Sequence, residues 1–197
     1  MDGYNNCITS KYKVMKIICV LVLVGAMTLQ LSAQKYFTRD GKISFSSAAP
    51  LENIEAVNNK VSSILNVETG EMEFAVLIKS FHFEKALMEE HFNENYMEST
   101  KYPKAIFKGK ISNLSDVNFS ANGSYRVSIS GDMTIHGVTK PLETSGMINV
   151  SSADIHATSD FDITVADYNI EIPKVVRDNI AKIVQVHVEI QYKPLEQ

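Results

Sequence analysis

The chain has 197 residues, with 19 Lys and Arg against 23 Asp and Glu and a formal net charge of −4 at pH 7. That mild acidity excludes the clustered basic surface needed to hold a nucleic acid or an anionic membrane. Both cysteines, Cys7 and Cys19, fall near the N-terminus, so the remainder has no disulfide framework and no thiolate metal site.

Lys11, Lys13 and Lys16 precede an uncharged apolar run from Ile17 to Leu29, which closes on Gln30-Leu31-Ser32-Ala33. Basic, apolar and small residues in this order predict a secretory signal peptide over residues 1–33, with Met15 as a second candidate start. The cut falls after Ala33, to within a few residues, because Leu31 fits its position less well than Ala does. A membrane anchor is the alternative, but it needs about 20 apolar residues and this run is shorter. Cys19 lacks the small residues that precede a lipid-attachment cysteine. Residues 34–197 are then expected to form one exported domain, periplasmic or secreted, with no stable membrane anchor. The oligomeric state stays open, a homodimer included.

Most later segments alternate apolar and polar residues, the pattern of half-buried strands. Lys42–Ser46 begins it. Asn53–Val67 follows, with a bulge expected near Asn58-Asn59. In Glu71–Ser80, Phe74, Val76 and Ile78 face one way. Glu84–Met97 is instead predicted helical, with Leu87, Met88, His91 and Phe92 at helical spacing. Lys104–Ile111 returns to alternation with Ala105, Phe107, Gly109 and Ile111 on one face. In Ser124–Ile135, Tyr125, Val127, Ile129, Gly131, Met133 and Ile135 share a face. Pro141–Val150 and Asp154–Val165 come next. A helical turn is expected over Pro173–Ile180. The last strand, Ile180–Tyr192, puts Val184, Val186, Val188, Ile190 and Tyr192 in one row.

Strands joined by short polar loops pair antiparallel. About eight of them with one-sided patterning make an all-β closed barrel or a sandwich. A strand from Ser124 to Ile135 spans about 40 Å at ~3.3 Å per residue, which suits a tall barrel.

No local motif carries chemistry. The five histidines, His82, His91, His136, His156 and His187, include no pair at metal-ligand spacing. His156 and His187 lie on polar strand faces, and His82 is expected at a rim between Phe81 and Phe83. Glu89 and Glu90 are adjacent helix positions about 100° apart and form a solvated face. Nucleophile-elbow, phosphate-loop and dinucleotide patterns are missing. No enzyme, metal or cofactor is expected.

The distinctive stretch is Gly131-Asp132-Met133-Thr134-Ile135-His136-Gly137-Val138-Thr139-Lys140-Pro141, a strand, a glycine turn and a returning strand. Before it stand His91-Phe92-Asn93 and Tyr102-Pro103-Lys104-Ala105-Ile106-Phe107; after it stands Asp167-Tyr168-Asn169-Ile170. In this order, over Lys42–Tyr192, the chain resembles the YceI-like family of exported polyisoprenoid-binding proteins. The section Ser46–Thr69 departs from the longer members, since Ala48-Ala49-Pro50-Leu51-Glu52 lacks their His-containing opening. The resemblance implies an extended, lipocalin-like antiparallel β-barrel with one or two short helical segments. It also implies a non-enzymatic binding protein for a hydrophobic small molecule, isoprenoid, quinone or lipid-like.

From the residues alone, the inward rows either pack against each other or enclose a cavity. The small inward residues Gly109, Gly131, Thr144, Gly146, Ala157 and Ser159 leave volume, or else mark bends. With the resemblance, the expectation is a cavity lined by Phe74, Val76, Ile78, Phe107, Val127, Ile129, Met133, Phe161, Val186 and Val188. Leu87, Met88 and Phe92 would form a lid or a plug. The rival reading is a periplasmic structural or stress-response protein with a packed interior, working through surface contacts.

Overall fold

The structure is a computed structural model that describes residues 35–152 and 154–195. The signal segment expected over residues 1–33 lies outside the described residues. Among the described residues nine strands run in chain order: β1 (Lys35–Ala48), β2 (Asn53–Asn66), β3 (Glu71–Leu77), β4 (His82–Phe83), β5 (Lys104–Ile111), β6 (Gly123–Ile135), β7 (Val138–Ser151), β8 (Asp154–Thr164) and β9 (Ile183–Pro194). One helix, α1 (Ala86–His91), continues into a wider π turn over Phe92–Tyr96.

The sheet order is β1-β9-β8-β7-β6-β5-β3-β2, and β2 pairs back onto β1, so eight strands close an antiparallel barrel. The two-residue β4 adds to β2 through Ala56–Phe83 and Val57–His82. This is the expected barrel. Closure pairs most of the strand edges that another chain could otherwise extend. Among the described residues no helix is long and apolar enough to cross a membrane.

The expected strand at Lys42–Ser46 runs longer, because β1 and β2 form one long hairpin with an extra residue in each arm. The register jumps between Thr38 and Gly41, and again between Gly41 and Ile43 opposite Asn58 and Val61. On β2 the buried residues are Ala56 and Asn58 before the jump, then Val61, Ser63 and Leu65 after it. An extra residue shifts the inward parity from even to odd numbers, which keeps an apolar row facing in. Asn58 fixes this expected bulge. Its Nδ2 donates to the Leu77 carbonyl and its Oδ1 accepts from the Lys60 amide, both at 2.9 Å. The same shift turns Ile64 outward, 48% exposed.

The core fills the barrel end that carries the β2–β3 turn. Val61, Leu65, Val127, Ile148, Ile155, Ile190 and Tyr192 are each at most 2% exposed. Tyr192 Oη lies 2.7 Å from Ser63 Oγ, which is 3.0 Å from the Glu73 carbonyl. The serine hydroxyl spends its proton on that carbonyl, so Tyr192 donates to Ser63. Burial pushes the Tyr192 phenol well above its usual range.

The other end is built differently. β7 and β8 pair only from Gly146–Ser159 to Ser151–Asp154, so Val138–Ser145 and Asp160–Thr164 splay apart. A 3₁₀ turn, Val165–Tyr168, follows β8 at this end with Tyr168 buried. The expected turn at Pro173–Ile180 is a single 3₁₀ turn, Lys174–Val176.

Candidate functional site

At this second end the inward rows enclose a cavity of about 360 Å³. Ile43 and Phe45 reach it from β1, Val76 from β3, Ala105 from β5 and Met133 and Ile135 from β6. Phe161 and Ile163 of β8, with Val184 and Val186 of β9, complete the wall. Two connections cap it: residues 78–103 bring Phe81, Phe83, Met88, Phe92, Tyr96 and Met97, and residues 165–182 bring Ile170, Ile172 and Val176.

An aromatic cluster forms one side. The Phe92 ring centroid is 5.6 Å from Phe45, 5.6 Å from Phe81 and 5.0 Å from Phe83. Phe45 also meets Phe81 at 5.4 Å and Phe83 at 5.9 Å. These separations suit tilted and edge-on aromatic packing. The cluster exists because β3 stops at Leu77. A 3₁₀ turn at Ile78–Ser80 redirects the chain, and β4 then pairs antiparallel with β2, which brings Phe83 and the preceding Phe81 to the cavity.

A clamp of left-handed residues holds the cap. His136 and Gly137, at φ 50° and 75°, both occupy the left-handed region in the turn between β6 and β7, as a type I′ hairpin turn demands. Glu98 and Asn169, at φ 42° and 56°, share that conformation in the two capping connections. His136 ties the three places together. Its Nε2 is 2.9 Å from Glu98 Oε2 and its Nδ1 is 3.2 Å from the Tyr168 carbonyl. Both partners are oxygen acceptors, so each ring nitrogen faces one. Tyr102 packs edge-on to the imidazole at 4.6 Å, in the space a side chain at Gly137 would need. Left-handed backbone at a residue other than glycine costs about 1–3 kcal/mol. The clamp therefore holds the connections in a geometry they would not keep alone.

Polar groups gather at the mouth. Glu52, in the β1–β2 turn, accepts from Lys85 Nζ at 2.7 Å and from Asn179 Nδ2 at 3.4 Å. The Leu51 amide donates to the Asp178 carbonyl, and the Ala181 amide to Ser47 Oγ. The Lys85 hydrogen bond holds the Glu52 carboxyl below its usual range, and Glu52 in turn holds Lys85 above its own. Burial against the apolar lining pushes the Tyr96 phenol up.

Of the residues expected to line a cavity, Val76, Ile78, Met133, Phe161 and Val186 border it. Phe74, Phe107, Val127, Ile129 and Val188 belong instead to the packed core or lie against it. None of the six small inward residues borders the cavity. Gly109 and Gly131 leave no void, because the Phe107 ring occupies the space their side chains would take. Of the expected lid residues, Met88 and Phe92 border the cavity, whereas Leu87 points outward at 60% exposure. Phe45, Phe81 and Phe83 had not been singled out as lining. Their signal was present: Phe45 follows Ile43 at strand spacing, and Phe81 and Phe83 flank His82.

Four histidines stand beside carboxylates: His82–Glu89 at 3.5 Å, His136–Glu98 at 2.9 Å, His156–Glu189 at 3.4 Å and His187–Asp160 at 2.6 Å. His187 and Asp160 border a second concavity of about 600 Å³ with Lys42, Glu55 and Asp162. It is larger, but its charged rim offers little apolar burial, so the interior cavity is the better candidate for holding a ligand. Among the described residues no three potential metal ligands converge.

The YceI-like domain family matches residues 31–192 of the chain. No protein of curated function matches it. Among solved structures, a polyisoprenoid-binding domain from Saccharophagus degradans, implicated in plant cell wall breakdown, is similar at a TM-score of 0.72 and 16% identity. That similarity covers 83% of this chain and 99% of that one. BcnA of Burkholderia cenocepacia has a TM-score of 0.63 and 16% identity, over 77% of this chain and 95% of its own. A YceI protein of Campylobacter jejuni has a TM-score of 0.58 and 14% identity, over 74% and 88%. At these identities the similarity shows a shared fold.

Proposed function

Since the chain belongs to the YceI-like domain family, we propose that it is a non-enzymatic carrier that holds a long apolar molecule, isoprenoid, quinone or lipid-like, inside its barrel. The observation that carries this reading is the interior cavity of about 360 Å³, walled by five phenylalanines and the inward rows of the strands. Burying a hydrocarbon chain yields about 0.8 kcal/mol per CH₂. Ten such groups give about 8 kcal/mol before ordering costs, so useful affinity needs no polar anchor. The similarity to a domain described as polyisoprenoid-binding supports the ligand class. A packed interior, as the rival structural role would require, does not suit the capped end.

The place of action in this reading is outside the cytoplasm, in the periplasm or secreted. The basic, apolar and small residues before Gln34 support it. The test is to purify the protein from its producing cell and run mass spectrometry on an organic extract. A stoichiometric apolar compound is the expected result. Repeated extracts without one, from a protein that also fails to take up added lipid, would sink the reading. Cell fractionation tests the location, and retention in the cytoplasm would overturn it.

A further inference from the structure

The cavity ends partway down the barrel, and one side chain marks the boundary. Ala105 of β5 and Met133 of β6 border it. The next inward residue on β5 is Phe107, paired with Met133 and only 6% exposed. Its ring reaches away from the mouth. A side chain on either Gly109 or Gly131 would collide with it. Phe74 of β3 stands edge-on to the same ring, with centroids 6.2 Å apart. Beyond this pair the interior is filled, with Val127 1% and Ile148 2% exposed. The paired glycines are therefore a socket for the ring, and the ring with Phe74 forms the first packed layer just beyond the cavity lining.

We propose that Phe107 sets the length of hydrocarbon chain the cavity accepts. This rests on the carrier reading and narrows its ligand to a molecule whose buried part is short. A volume of about 360 Å³, at about 30 Å³ per water-sized group, holds on the order of twelve carbons. A longer chain leaves the rest at the mouth. Replacing Phe107 by a small residue opens the space over Gly109 and Gly131 and lengthens the accepted chain. Enlarging Ala105, one inward position nearer the mouth, shortens it.

The experiment uses the purified protein stripped of lipid, with straight-chain primary alcohols of increasing length displacing a fluorescent apolar dye. In the parent protein, affinity rises about fourfold per CH₂, as ~0.8 kcal/mol implies, and levels off near twelve carbons. Phe107→Ala moves the plateau to longer chains, Phe107→Leu moves it less, and Ala105→Leu moves it to shorter ones. If Phe107→Ala does not fold, Phe107→Leu and Ala105→Leu still give opposite shifts. Plateaus that coincide in every folded variant overturn the assignment to Phe107. Affinity that climbs without levelling overturns the length limit while leaving the carrier reading intact. No binding at any length overturns both.

Discussion

The strands that meet around Leu65 and Tyr192 at one end of the barrel also frame the cavity at the other, yet the two ends are closed in different ways. At the first, interlocking side chains fill the interior, with Leu114, Val117 and Phe119 of the connection 112–122 packed against it, and the buried Tyr192–Ser63 contact is fully paired. At the second, β3 breaks early and β8 parts from β7, and two long connections arch over the gap. Side-chain packing makes the first end rigid in itself. The second depends on a few directional contacts, the His136 clamp and the Glu52 cluster. The difference shows how one barrel combines a stable core with a space that can hold something: the core supplies the stability that the capped end gives up.

Substitutions at each end break or sharpen this contrast. The largest effect on stability is expected from Leu65→Ala, which empties a fully buried site at the packed end and costs about 2–5 kcal/mol. Urea denaturation measures it, and ligand affinity of the folded fraction stays at the parent value. Phe92→Ala removes the ring at the centre of the aromatic cluster. It lowers affinity for an apolar dye about tenfold or more, roughly 1.4 kcal/mol, with a smaller stability loss than Leu65→Ala. If Phe92→Ala proves the more destabilising of the two with unchanged binding, the division of labour is wrong.

His136→Ala leaves the Tyr168 carbonyl and the Glu98 carboxylate without their shared partner. The expected cost is about 1–3 kcal/mol. Faster amide exchange is expected over residues 92–102 and 165–170, with none over β9. Uniform exchange changes would show that the clamp is not local.

The smallest effect is at the mouth. Glu52 is held below its ordinary value of 4.5 by Lys85, so its contact adds stability above that value and loses it as pH falls through the lowered one. Lys85 is held above 10.5 by Glu52, so its share is present below that value and is lost as pH rises past the raised one. Lys85→Met is expected to leave the urea midpoint near neutral pH almost unchanged, as exposed ion pairs do. The parent is expected to release dye faster below pH 4.5, and Lys85→Met to lack that rise. Identical pH profiles for parent and variant would remove the ion pair from any part in release.

Alternation of apolar and polar residues was enough to read the strands, and strand length with the family resemblance pointed to a barrel rather than a sandwich. Alternation placed Phe74 and Val76 on one face of β3, the rows of β6 and β9, and even the bulge at Asn58, because strand periodicity is local. It did not show that the strand ends at Leu77, before Ile78. The family resemblance rested on an equally local feature, the strand and His136-Gly137 turn with its flanking residues. What no local pattern holds is the volume left when the rows meet. Gly109 and Gly131 suggested space where Phe107 fills it, since a ring on one strand can lie over glycines two residues along and on the next strand. The aromatic cluster joins Phe45, Phe81, Phe83 and Phe92 from segments that have no register in common until the barrel closes. Sequence by itself determined which face of each strand is apolar, and with it the all-β class. Tertiary structure alone decided which inward residues pack and which border a cavity, because packing is settled by side chains from distant segments competing for the same space.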